Sequence, residues 1–123
     1  MGYIAHHALI VTISGFALDD PKEYGMPDIA AYREGIPEQF RPLLVGPIHT
    51  AANDDWVVAF LPDGSKEGWD TSDEGDRIRN ELIDMFRWSF EDGSSPYDVV
   101  LVRFGGDDPH LVNAHDPRGR GYY

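Results

Sequence analysis

Tyr3-Ile4-Ala5-His6-His7-Ala8-Leu9-Ile10-Val11-Thr12-Ile13-Ser14 is the stretch on which the fold turns. Ile, Val and Thr crowd it, and β-branched side chains favour the extended backbone. Successive residues of a strand point to opposite faces. Here one face carries Tyr3, Ala5, His7, Leu9, Val11 and Ile13, and the other Ile4, His6, Ala8, Ile10 and Thr12. Both sets are largely apolar, which predicts a central strand covered on both sides.

The same reading extends outward. Leu43–Thr50 and Asp55–Leu61 are strand-like runs joined by Ala51-Ala52-Asn53-Asp54, a hairpin connection. Tyr97–Phe104 is a further strand, apolar on both faces through Val99-Val100-Leu101-Val102, and His110–Ala114 returns as a short edge strand. Two segments are helical. The first runs from Pro27, at a helix's first position, to about Glu34, with a further turn from Pro37 to Arg41. The second starts at Thr71, which has capping-box spacing to Glu74, and carries an apolar stripe of Ile78, Leu82, Met85 and Phe86, widened by Ile83 and Phe90. Gly93 is its expected stop.

The order β-α-β-β-α-β with an added edge strand predicts an α+β fold of the ferredoxin-like, split βαβ type. Its antiparallel sheet would carry both helices on one face. Residues 1–115 form one domain, and 116–123 are expected to fray. Two helices cover only one face, so a second apolar face calls for a partner; a homodimer through the sheet face is expected.

The chain has 123 residues, no cysteine, and 22 acidic against 10 basic residues, for a formal charge of −12. Lack of cysteine removes disulfides, thiolate catalysis and Cys-type zinc sites. The longest apolar runs are too short to cross a bilayer, and no leader-like segment is seen, so a cytoplasmic protein without membrane contact is expected. The negative charge disfavours general nucleic-acid binding.

His6 and His7 are adjacent in a strand and therefore face opposite ways, one toward the helices and one toward the open face. With His49, His110 and His115 they show no metal-ligand spacing, and no metal or cofactor is implied. The loop Asp63-Gly64-Ser65-Lys66-Glu67-Gly68-Trp69 sets a lysine, hydroxyls and an aromatic ring beside a helix start, where backbone amides are free. It lacks P-loop spacing, and Glu67, Asp70, Asp73 and Glu74 would repel phosphate. Ser94 and Ser95 have no evident base. The candidate ligand-binding residues are His6, His7, Asp63, Ser65, Lys66, Trp69 and Arg79, with no catalytic residue assigned.

The patches Tyr3–Thr12, Pro62–Trp69 with Ser72–Asp76, and Asp92-Gly93-Ser94-Ser95-Pro96-Tyr97-Asp98 resemble a group of small uncharacterised proteins of actinobacteria and their phages. The resemblance implies that the three polar patches belong together. In a split βαβ fold, however, the Asp63–Asp70 loop and the loop before Tyr97 could lie at opposite ends of one helix. Size, acidity and resemblance lead to the expectation of a non-enzymatic, phage-type accessory protein in the host cytoplasm. It would bind a host protein or sequester a small anionic, nucleotide-like ligand. Two alternatives are a small hydrolase or isomerase using His6 or His7 with Asp98 or Lys66, and an acidic mimic of DNA.

Overall fold

Strand β1 (Ala5–Ser14) lies in the middle of a sheet, antiparallel on one edge to β3 (Asp55–Phe60) and on the other to β4 (Tyr97–Gly105). This is a computed structural model, which describes residues 5–66, 68–105 and 112–118. Strand β2 (Leu44–His49) pairs outside β3, and the short β5 (Val112–His115) outside β4. The result is a five-strand antiparallel sheet of order β2-β3-β1-β4-β5. The α+β class and antiparallel sheet are as the sequence predicts. The order departs from a four-strand sandwich because β5 is added beside β4. His110 and Leu111, expected in that edge strand, lie outside the described residues.

One face of the sheet carries the core. Leu9, Val11 and Ile13 of β1, Val58 and Phe60 of β3, Leu44 of β2, and Tyr97 and Val99 of β4 are buried in one apolar cluster. The helical segments supply its other half. Helix α1 (Gly15–Asp19) gives Ala17, α2 (Ile29–Gly35) gives Ile29, the 3-10 turn Glu38–Leu43 gives Phe40, and α3 (Asp70–Met85) gives Ile78, Leu82 and Ile83. Among the described residues three α-helices are therefore found where two were expected. The five-residue α1 escapes a periodicity reading because it is shorter than two turns.

The helix ends follow tertiary partners more than sequence signals. Asp28 is the N-cap of α2, its carboxylate accepting from the Ala31 amide at 3.0 Å, so Pro27 sits before the helix and not at its first position. The capping box of α3 does not form. The Ser65 hydroxyl takes Thr71, Oγ to Oγ1 at 2.7 Å, and Glu74 pairs with Arg77. Trp69 becomes the N-cap, its carbonyl accepting from the Ser72 and Asp73 amides.

At the other end α3 stops at Met85, well before Gly93. Phe86 is buried edge-on against Tyr97 at 5.2 Å, and Trp88 turns away to pack on Phe90 at 4.7 Å and Tyr24 at 5.6 Å. Burying those rings outweighs another turn of exposed helix. Gly93 serves instead in a turn where Phe90 donates to the Ser94 carbonyl at 2.7 Å.

The helices leave the second face of the sheet uncovered within the chain, the face for which the sequence reading expects a partner. The register sets Ile10 between Ala59 and Val100, Ala8 beside Val102 with Ala114 one strand further out, and His6 beside Phe104 with Val112 one strand further out. Ile10, Ile48 and Val112 are exposed, and Val57, Val100, Val102 and Phe104 partly so. Asp116 and Arg118, expected in a frayed tail, are packed, with side chains 0% and 6% exposed. No helix of the described residues is long and apolar enough to cross a membrane.

Tyr97 shows how tightly the core is closed. Its hydroxyl donates to the Tyr24 carbonyl at 2.5 Å, and burial pushes its pKa from 10.0 up to about 12. Burial, with the hydrogen bond to Glu81, raises Tyr32 in the same sense. A raised folded-state value means stability that is intact below pH 10 and drains as pH climbs toward 12, because the unfolded phenol ionises first. We predict that the melting temperature falls across that window. Tyr97→Phe will start less stable by about 0.5–1.5 kcal/mol and fall less steeply, as calorimetry at several pH values will show.

Candidate functional site

Asp63 follows β3 by three residues, and its side chain turns inward, only 9% exposed. Oδ1 accepts from the Ser65 amide at 2.8 Å, an Asx turn that fixes the loop. Oδ2 is buried and has no hydrogen-bond partner among the described residues. Arg79 Nη1 stands 3.5 Å from it, near enough for charge attraction but too far for a hydrogen bond. Arg79 is itself buried, 6% exposed, with Nη2 on Asp76 Oδ1 at 2.6 Å and the guanidinium 5.9 Å from the centre of the Phe60 ring. Aromatic and carboxylate contacts together make a buried arginine tolerable.

The carboxylate of Asp63 fits where it does because α3 carries Gly75 opposite. A β-carbon at Gly75 would lie 2.0 Å from Asp63 Oδ2 and 3.3 Å from Arg79 Nη2. Glycine inside a helix ordinarily costs about 0.5–1 kcal/mol relative to alanine. Its presence is explained by this close approach.

Around the pair, His6, His7, Pro62, Asp63, Gly64, Ser65, Ser72 and Arg79 line a narrow cleft with room for about one water molecule. His7 is on the helix side of β1, with Leu9, and His6 is on the open side, its ring 5.2 Å from Phe104. A second, wider cleft of about 290 Å³ shares Asp63, Gly64 and Ser65. Its remaining walls are Gln39, Phe40, Leu43, Trp69 and Thr71. Trp69 is 52% exposed, and Lys66 Nζ stands 5.7 Å from the centre of its ring.

The seven residues singled out in the sequence therefore converge. His6, His7, Asp63, Ser65 and Arg79 line the narrow cleft, Trp69 lines the wide one, and Lys66 stands over Trp69. Glu67 lies outside the described residues. The Asp92–Asp98 patch does not join them. It sits beyond the other end of α3, where Ser14 at the far end of β1 donates to the Pro96 carbonyl at 2.9 Å. Of the three polar patches, two meet and one stands apart.

Sequence reasoning missed Gln39, Phe40 and Leu43, which reach the site from a turn broken by Pro37 and Pro42. Gly75 did carry a readable signal, a glycine inside a strongly amphipathic helix. Chemically, the wide cleft joins an aromatic face to an acceptor-rich floor. The Ser65 hydroxyl is spent on Thr71, which argues against a serine nucleophile. No group of three or more His, Asp and Glu residues suited to a metal occurs among the described residues.

Helix propensity alone would make Gly75→Ala stabilising. We predict the opposite sign, a loss of about 1–3 kcal/mol, as for overpacking a closed site. Urea denaturation will measure it, and a gain in stability would mean that Asp63 moves aside without cost.

No protein-family model matches the chain, and no curated protein or solved structure matches it.

Proposed function

We propose that this protein is a non-enzymatic binding protein that takes a small nucleotide-like ligand in the cleft beside Trp69. The observation that carries the reading is an exposed indole at the mouth of a 290 Å³ cleft whose other walls include Asp63, Ser65 and Thr71. Small-molecule sites begin at roughly this size, and they combine apolar walls with a few placed polar groups. A planar heteroaromatic ring would stack on Trp69 and direct its N–H edge toward Asp63. Asp63, Asp70 and Asp73 disfavour an anion at the start of α3, so a phosphate would lie outward, toward Lys66. The bound part is then the ring, and the ligand's negative charge is secondary.

Calorimetric titration with the four common nucleosides and their monophosphates tests this. One of them is expected to bind saturably, and Trp69→Ala should weaken it about tenfold, since a base stacked on an aromatic side chain contributes about 1–3 kcal/mol. Nucleosides and nucleotides that all fail to bind would overturn the reading.

The open sheet face supports a second element, a homodimer. Its rows of Ile10, Ala59, Val100 and Val102 are apolar and self-complementary, while His6 stands toward one end and Asp98 toward the other. A two-fold axis across the strands would bring each copy's His6 toward the other's Asp98. Light scattering should give twice the 13.8 kDa chain mass, and Ile10→Lys should halve it with little change in melting temperature. A monomeric mass for the native chain at all concentrations would rule the pairing out.

The architecture then reads as a ferredoxin-like sandwich extended by β5. Small size, acidity and the resemblance to actinobacterial and phage proteins support an accessory role in a host cytoplasm.

A further inference from the structure

The exit of α3 holds a third, unrelated cleft of about 230 Å³, walled by Arg87, Trp88, Ser89, Gly93, Ser95 and Arg118. The helix has 16 residues, so this cleft is roughly 24 Å along the axis from the Trp69 end. None of the described residues that line it is acidic. The guanidinium of Arg118 is held at two of its three nitrogens. Nε lies 3.3 Å from Asp116 Oδ1, and Nη1 donates to the Phe86 carbonyl at 3.3 Å. Nη2 is buried without a hydrogen-bond partner among the described residues.

A role in capping the last carbonyls of α3 accounts for Nη1, and the ion pair with Asp116 accounts for Nε. Neither accounts for Nη2. A charged donor taken out of water and left unpaired is costly, and such groups are rarely left so in a folded protein. Here the arginine that carries it lines a cleft together with Arg87, whose own Nε is fixed on Asp84 at 2.7 Å. Two guanidinium groups, each anchored by its own carboxylate, share that cleft with the serines Ser89 and Ser95.

We propose that this cleft binds an oxyanion, the phosphate or carboxylate group of a ligand, with Arg118 Nη2 as the principal donor and Arg87 as the second. Planar guanidinium forks match such oxygens in pairs, which a lysine ammonium cannot do. The site is independent of the Trp69 cleft.

The test uses the whole chain and two probes, inorganic phosphate and acetate, titrated at constant ionic strength against chloride and followed by amide chemical shifts. Saturable shifts are expected at Ser89, Gly93 and Ser95. Arg118→Lys keeps a cation at the helix end but removes the fork, and should weaken binding about tenfold, the worth of one charge-assisted hydrogen bond. Arg87→Ala changes an exposed side chain and should weaken it several-fold, so this arm holds even if Arg118 variants fail to fold. Phosphate alone saturating assigns a phosphoryl group; acetate saturating as well assigns a carboxylate. Shifts no larger than chloride produces, or affinity unchanged in both variants, would overturn the proposal.

Discussion

The pairing of β1 on both of its edges is the constraint from which the rest of the molecule follows. Because β3 and β4 both take their register from it, the alternation of one strand sets two faces for three. Leu9, Val11 and Ile13 place Val58, Phe60, Tyr97 and Val99 on the helix side, and Ile10 places Ala59 and Val100 on the other. The same strand marks the ends of the protein. His6 and His7 at its start stand beside the Asp63 loop, and Ser14 at its end is tied to Pro96. A slip of β1 by one residue would turn Leu9, Val11 and Ile13 out of the core, so this register is strongly specified.

Charge is organised on a different principle. The chain is acidic overall, yet two arginines, Arg79 and Arg118, are taken almost wholly out of water, one toward each end of the molecule. Each has a carboxylate beside it, and each leaves one atom of its ion-pair environment unmatched: the oxygen of Asp63 in the first case, a nitrogen of Arg118 itself in the second. The excess of surface carboxylate elsewhere is partly absorbed along α3. Arg77 is pinned between Glu74 and Glu81, and its hydrogen bond holds the Glu74 carboxyl below its usual range. These surface pairs add little to stability. The buried ones fix positions.

Much of this was legible in the sequence. Strand positions, the hairpin, the antiparallel sheet and the apolar stripe of α3 follow from periodicity, and the doubly apolar strands announced a face that the helices do not cover. Helix ends were less legible, because they depend on partners remote in sequence. Thr71 looks like a cap until Ser65 is seen to take it, and Phe90 looks like part of a stripe until Trp88 and Tyr24 draw it into a separate aromatic group. The site was legible as residue types in a loop and a strand. Its third wall, from Phe40 and Leu43, was not, since that turn has no repeating pattern to read. Asp116 and Arg118 fall in a short Gly- and Arg-rich segment with no periodicity to read, and Arg118 is tied to the end of α3 through the Phe86 carbonyl.

The margins of the sheet have a consequence of their own. β2 is interrupted between Val45 and Ile48 by Gly46, at φ +96° and too close to the Val57 carbonyl for any side chain, and by Pro47, which has no amide hydrogen to offer. On the opposite margin β5 is only four residues long. Neither border offers a long ladder of free amides and carbonyls to an incoming strand, and such borders resist edge-to-edge growth into fibrils. Lateral addition of strands, the usual route from a soluble sheet to an open-ended polymer, therefore finds little purchase on either margin of this molecule.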